Sequence, residues 1–135
     1  MNSFYARLDR ENRVMNVIEV SPEDEKPKGL SKLLFWKNEE YWGIKFCQNL
    51  VNDPESKWRK GYQPFDIENR KRLHLPSIGG HYDDENDVFY NKQPFPSWTL
   101  DEKWMWVSPV PKPDKPHLWN EEEQRWDPLT EIDTL

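Results

Sequence analysis

Trp119-Asn120-Glu121-Glu122-Glu123-Gln124-Arg125-Trp126 sets two large rings seven residues apart across an acidic run. Tyr82-Asp83-Asp84-Glu85-Asn86-Asp87-Val88-Phe89 repeats that arrangement. Trp98-Thr99-Leu100-Asp101-Glu102-Lys103-Trp104-Met105-Trp106 is a looser version, with ring spacings of six and eight. A ring, a short polar turn and a second ring make a β-hairpin in which the rings pair across the strands. The C-terminal part of the chain therefore reads as three small hairpins. Between them lie Pro94-Phe95-Pro96-Ser97 and Pro109-Val110-Pro111-Lys112-Pro113-Asp114-Lys115-Pro116. Such segments are stiff and extended, and are expected to space the hairpins apart. Since an isolated hairpin is marginal in water, these need one another, the N-terminal part or another chain to pack on.

Upstream, Phe4 to Leu8 and Val14 to Val20 read as two strands joined by the polar turn Asp9-Arg10-Glu11-Asn12-Arg13. Ser21 to Gly29, with two prolines and a glycine, reads as an exposed loop. From Leu30 to Val51 the pattern turns helical: Tyr41, Ile44, Cys47 and Gln48 follow a three-and-four spacing, with Trp42, Phe46 and Leu50 on a neighbouring stripe. One amphipathic helix is expected there. Lys57-Trp58-Arg59-Lys60-Gly61-Tyr62 opens a basic stretch that continues through Asn69-Arg70-Lys71-Arg72 and reads as a strand and a loop.

The expected fold is α+β: an N-terminal β-hairpin plus amphipathic helix, then a proline-spaced, aromatic-rich β-hairpin extension. Composition shifts near Ser77. Residues 77–135 carry 5 basic and 13 acidic groups, five of the eight tryptophans and seven of the twelve prolines. The expected organisation is 1–76 and 77–135, or one continuous domain, since 135 residues suit a single domain of ordinary size. A net charge of -6 and a mean hydropathy of -1.09 point toward a disordered polymer, but 19 aromatic rings argue against it. One alanine, and twelve prolines against five glycines, disfavour a helix bundle.

Several functions are disfavoured. No apolar run approaches the length needed to span a bilayer, and Met1 to Arg13 lacks a signal-peptide core, so the expectation is a soluble, unexported chain with no membrane partner. Cys47 is the sole cysteine, which excludes an intrachain disulfide and a cysteine-based zinc cluster. On the apolar side of the helix it reads as a small hydrophobe rather than a nucleophile toward His74. Asp83, Glu85 and Asp87 alternate as in a calcium loop, but Val88 and Pro94 stand where that loop needs Gly and Glu. Glu121, Glu122 and Glu123 are consecutive and point in different directions. His74, His81 and His117 lack metal-ligand spacing and read as surface residues. With no phosphate loop and no nucleophile elbow, the chain reads as a non-enzyme with no cofactor and no metal. Lys57 to Phe65 interleaves cations with Trp58, Tyr62 and Phe65 like a single-stranded nucleic-acid site, yet a solvated or protein-docking surface is the stronger reading. The acidic C-terminal part would repel phosphate backbones, so no nucleic-acid partner is expected.

What remains is binding. Tyr82, Phe89, Trp98, Trp104, Trp106, Trp119 and Trp126 are the candidate partner-binding rings. With so few aliphatic residues, a role in a core or an interface outweighs one as platforms for sugar rings.

His81 to Tyr90, Gln93 to Asp101, Trp106 to Pro113 and Leu118-Trp119-Asn120-Glu121, with the N-terminal hairpin and Gly43-Ile44-Lys45-Phe46-Cys47, resemble small virion proteins of tailed bacteriophages, particularly phages of marine cyanobacteria. The likeness covers most of the chain and leaves out Gln63 to Pro76. It implies a virion-associated structural protein, made in the host cytoplasm, in a multi-copy symmetric assembly with other capsid or tail proteins. It brings no catalytic residues. The alternatives are a carbohydrate-binding module of a tail fibre or spike that stacks host glycan on Trp98, Trp106, Trp119 and Tyr82, or a tail-fibre assembly chaperone.

Overall fold

The computed structural model describes residues 2–34, 36–62, 72 and 74–129. The chain forms two compact units, 1–92 and 93–135. The division falls at Lys92–Gln93 rather than near Ser77 because the Tyr82–Phe89 hairpin packs into the first unit. The architecture is mixed, one helix with small antiparallel sheets.

In the first unit, strands β1 (Ser3–Leu8), β2 (Val14–Val20) and β3 (Lys57–Gly61) form an antiparallel sheet in the order β2-β1-β3. Tyr5 lies opposite Ile18 on one side and Lys60 on the other. Because successive side chains of a strand point to opposite faces, the central strand must fill both. Tyr5 joins Val20, Cys47 and Trp58 in one buried cluster, while Ala6 and Leu8 join Val14, Tyr82 and Phe89 in another.

Helix α1 (Glu39–Leu50) covers the first face. Asn38 caps it, its Oδ1 accepting from Tyr41 N at 2.9 Å, and Glu39 and Glu40 complement the helix dipole. Asn52, at φ 54°, ends it: Asp53 N donates to Gln48 O and Asn52 N to Asn49 O, the Schellman pattern. The helix is shorter than the expected 30–51 span. Gly29–Leu34 forms a separate 3-10 helix, and Pro22–Glu25 another within the expected loop. Leu50, assigned to an apolar stripe, is exposed.

The hairpin β4 (His81–Asp83) and β5 (Val88–Tyr90) covers the second face. Tyr82 and Phe89 are register partners with ring centroids 5.1 Å apart, as the spacing requires. Val14 N to Gly80 O at 2.8 Å and Tyr82 N to Asn12 O at 2.9 Å tie the hairpin to the first turn.

The second unit holds β6 (Thr99–Leu100) paired with β7 (Trp106–Val107), and β8 (His117–Asn120) paired with β9 (Arg125–Pro128). One turn chemistry serves all four hairpins. Asp9, Asp83, Asp101 and Asn120 each open a turn with a side-chain oxygen that accepts a backbone N–H from two to four residues on. Each turn then closes through a left-handed residue: Asn12, Asp87, Trp104 and Gln124.

Candidate docking surface

Trp119 and Trp126 are register partners on β8 and β9, with centroids 5.2 Å apart and planes at 66°. Trp98 closes the group, 5.9 Å from each. This differs from the expected pairing of Trp98 with Trp104 or Trp106. Strand β6 begins only at Thr99, and Leu100 takes the place opposite Trp106. The proline segment does not hold these elements apart either. It turns back, and Trp126 Nε1 donates to Val110 O at 2.8 Å. The same carbonyl also accepts from Ser108 Oγ, so it serves both the proline segment itself and the hairpin.

Glu121 locks the group. Its carboxylate accepts from Ser97 Oγ at 2.6 Å, Ser97 N at 3.0 Å and Trp119 Nε1 at 2.8 Å. The Ser97 hydroxyl, followed by the Trp119 N–H, holds this carboxyl below the usual glutamate range. Asp127 is likewise lowered, first by the hydrogen bond from Asn120. Trp98 Nε1 is buried with no hydrogen-bond partner among the described residues.

None of the described residues 93–129 is buried. Trp98, Trp104, Trp106, Trp119 and Trp126 are all half-buried, while Met105, Val107, Val110 and Leu118 are exposed. Trp104 adopts φ 61°, a conformation that costs a bulky residue about 1 kcal/mol and that glycine or asparagine fills more readily.

Tyr82 and Phe89 have a different place. They are 6% and 1% exposed in the core of the first unit, so neither ring is available to a partner or a sugar. Tyr82 Oη donates to Asp87, which also pairs with Arg72 Nε at 2.6 Å, and Arg72 Nη1 pairs with Glu40. Burial, then the Asp87 hydrogen bond, raises the Tyr82 phenol. Trp58, the first ring of the nucleic-acid reading, is wholly buried, Tyr62 lies near Lys60 and Arg72, and Phe65 falls outside the described residues. His74, His81 and His117 are all half-buried, and His81 stacks on the Tyr90 ring at 5.1 Å. Cys47 sits in the core as expected. Among the described residues, no group of His, Cys, Asp and Glu is arranged to hold a metal ion, and no helix is long and apolar enough to cross a membrane.

Sequence reasoning does not disclose Glu25, a buried carboxylate inside a run that reads as an exposed loop, or the Leu30–Leu33 face. For Glu25 no local signal exists, because its partners Tyr5 and Lys60 are 20 and 35 positions away. No protein-family model, curated protein or solved structure matches this chain.

Proposed function

We propose that this chain is a structural protein of a tailed-phage virion, docking on a capsid or tail component through the aromatic hairpins of residues 93–129. The observation that carries the reading is that this unit holds five tryptophans and buries no described residue. Rings at that density, with exposed Met105, Val107 and Leu118 among them, are what an interface needs and what a free small domain avoids. The resemblance to virion proteins spans most of the chain, and three of its segments, Gln93 to Asp101, Trp106 to Pro113 and Leu118 to Glu121, lie in this unit. Glycan stacking is the weaker reading. Trp98, Trp119 and Trp126 meet edge to face, so their faces are turned on one another rather than laid open to a sugar.

Mass spectrometry of purified particles, with copy number per particle, tests the proposal. Hundreds of copies would place the chain on the capsid, and a handful in multiples of three or six on the tail or neck. Absence would overturn the virion role and favour the assembly chaperone.

A further inference from the structure

We propose that this protein associates head to tail, the basic apolar face at Leu30 and Leu33 of one copy seating in the acidic hollow beside Leu118 of a second copy. In a 3-10 helix residues three apart stand on one line, and on Gly29–Leu34 that line carries Leu30 and Leu33, 88% and 72% exposed. Between Lys26 and Asn38 the chain has four lysines and no acid. Lys26 and Lys28 meet only the exposed or local partners Glu23 and Asp24, and Lys32 makes no ion pair among the described residues. Two large aliphatic side chains therefore stand in water inside a basic rim.

The counterpart is on the same chain. A hollow of about 470 Å³ lies against β8 and β9, with Leu118, Pro128 and Leu129 on its apolar side. Glu121, Glu122 and Asp127 line it too, and no basic residue does. Glu121 keeps its charge through the hydrogen bonds already described, Asp127 is paired with Arg125 at 2.9 Å, and Glu122 makes no ion pair among the described residues, so the free acid that meets the basic face is Glu122 beside Glu121. The volume of the hollow falls in the range of small-ligand pockets, enough room for two leucine side chains and their neighbours. Basic rim meets acidic rim and leucine meets leucine, the complementarity that sets partner choice and orientation. Because a concave acidic seat exists on the molecule itself, a second copy fits this face better than a flat anionic lipid surface.

Face and hollow are different patches, so the contact is heterologous: each added copy leaves one face and one hollow free, and growth ends in a ring or a filament. This goes beyond the virion proposal and stands or falls without it, since it concerns the purified chain alone.

Sedimentation of the full chain between about 1 μM and about 1 mM tests it, over the span of weak to moderate affinities. Mass should rise with concentration, and going from low to high salt should weaken association about tenfold. Leu33→Glu and Glu122→Lys, both at exposed positions, should each leave a monomer with unchanged near-UV circular dichroism. Mixing the two variants should restore a complex that stops at two chains, because one intact face meets one intact hollow. A wild-type chain monomeric throughout would overturn the proposal, as would a mixture of variants that stays monomeric. Binding to phosphatidylserine vesicles lost in Leu33→Glu, without self-association of the wild type, would overturn it in favour of a membrane.

Discussion

Lys60 Nζ lies 2.8 Å from Glu25 Oε2, with the two side chains only 10% and 5% exposed. The carboxylate is fully satisfied, because Tyr5 Oη donates to Oε2 at 2.6 Å and Ser3 Oγ to Oε1 at 3.0 Å. Removing one member of a buried pair strands the other charge, so Lys60→Met should cost about 3–5 kcal/mol. Adding Glu25→Leu to that variant removes the stranded charge and should recover part of the loss, leaving the Ser3 hydroxyl without Glu25 and Tyr5 Oη with only the long contact to Glu39 O at 3.4 Å as the residual penalty. Urea unfolding of the two variants measures this. A double variant no more stable than Lys60→Met alone contradicts it.

Stability should fall in alkali. Burial pushes the Cys47 thiol from 9.0 up to about 12. Burial, then the hydrogen bond to Glu25, raises the Tyr5 phenol. For Lys60, burial pulls the other way, but the Glu25 hydrogen bond and charge outweigh it and the ammonium is raised too. All three hold protons in the fold that the unfolded chain releases, so their contribution is complete below pH 9 and declines above it. Cys47 acts from pH 9 to about 12, and Tyr5 and Lys60 join above their ordinary values of 10.0 and 10.5. Each group steepens the loss by about 1.4 kcal/mol per pH unit. Urea midpoints should be level from pH 7 to 8.5 and drop beyond 9, and Cys47 should react with a thiol reagent only as fast as the fold opens. A midpoint unchanged at pH 11 would refute the assignment.

Gly43 marks where α1 comes closest to the sheet. A Cβ there would stand 2.0 Å from Tyr5 Oη and 2.2 Å from Cζ, and the ring is held by Glu25 and its buried neighbours. Elsewhere on a helix Gly→Ala stabilises, but Gly43→Ala should destabilise by about 2–3 kcal/mol through overpacking. Thermal unfolding decides the sign, and an unchanged or raised midpoint would mean that the helix shifts freely.

Local spacing made much of this fold legible. Two rings seven residues apart put Tyr82 opposite Phe89 and Trp119 opposite Trp126, because a polar turn of fixed length sets the register. What spacing could not disclose is which hairpin a core would absorb. Tyr82 and Trp119 look alike in sequence, yet Tyr82 packs into a buried cluster with Ala6, Leu8 and Val14, while Trp119 stays half-buried against Trp98 and Trp126. The difference lies in strand β1, some 75 residues from Tyr82, whose Ala6 face needed covering. The extent of α1 was misjudged for a local reason. Leu30 and Leu33 share the helical pattern, but they belong to a 3-10 turn that breaks before Asn38 and leaves them exposed.

The three clustered tryptophans differ in what their indole N–H groups do, and that gives their phenylalanine variants different costs. Trp119 Nε1 donates to Glu121 at 2.8 Å and Trp126 Nε1 to Val110 O at 2.8 Å, whereas Trp98 Nε1 is buried without a partner among the described residues. Each replacement trims the ring packing, but only the first two also remove a hydrogen bond. Trp119→Phe and Trp126→Phe should therefore cost about 1 kcal/mol more than Trp98→Phe, the net worth of one such bond. Trp98→Phe gains back the desolvation penalty of an unsatisfied donor and should be the mildest of the three. Trp119→Phe carries a second signature: with one of its donors gone, Glu121 should titrate at a higher pH than in the native chain, because that N–H is among the groups that hold it low. Hydrogen exchange of the β8–β9 amides, with the Glu121 titration followed by NMR, reads both effects. Equal costs for all three variants would mean that ring contact alone holds the hairpin together.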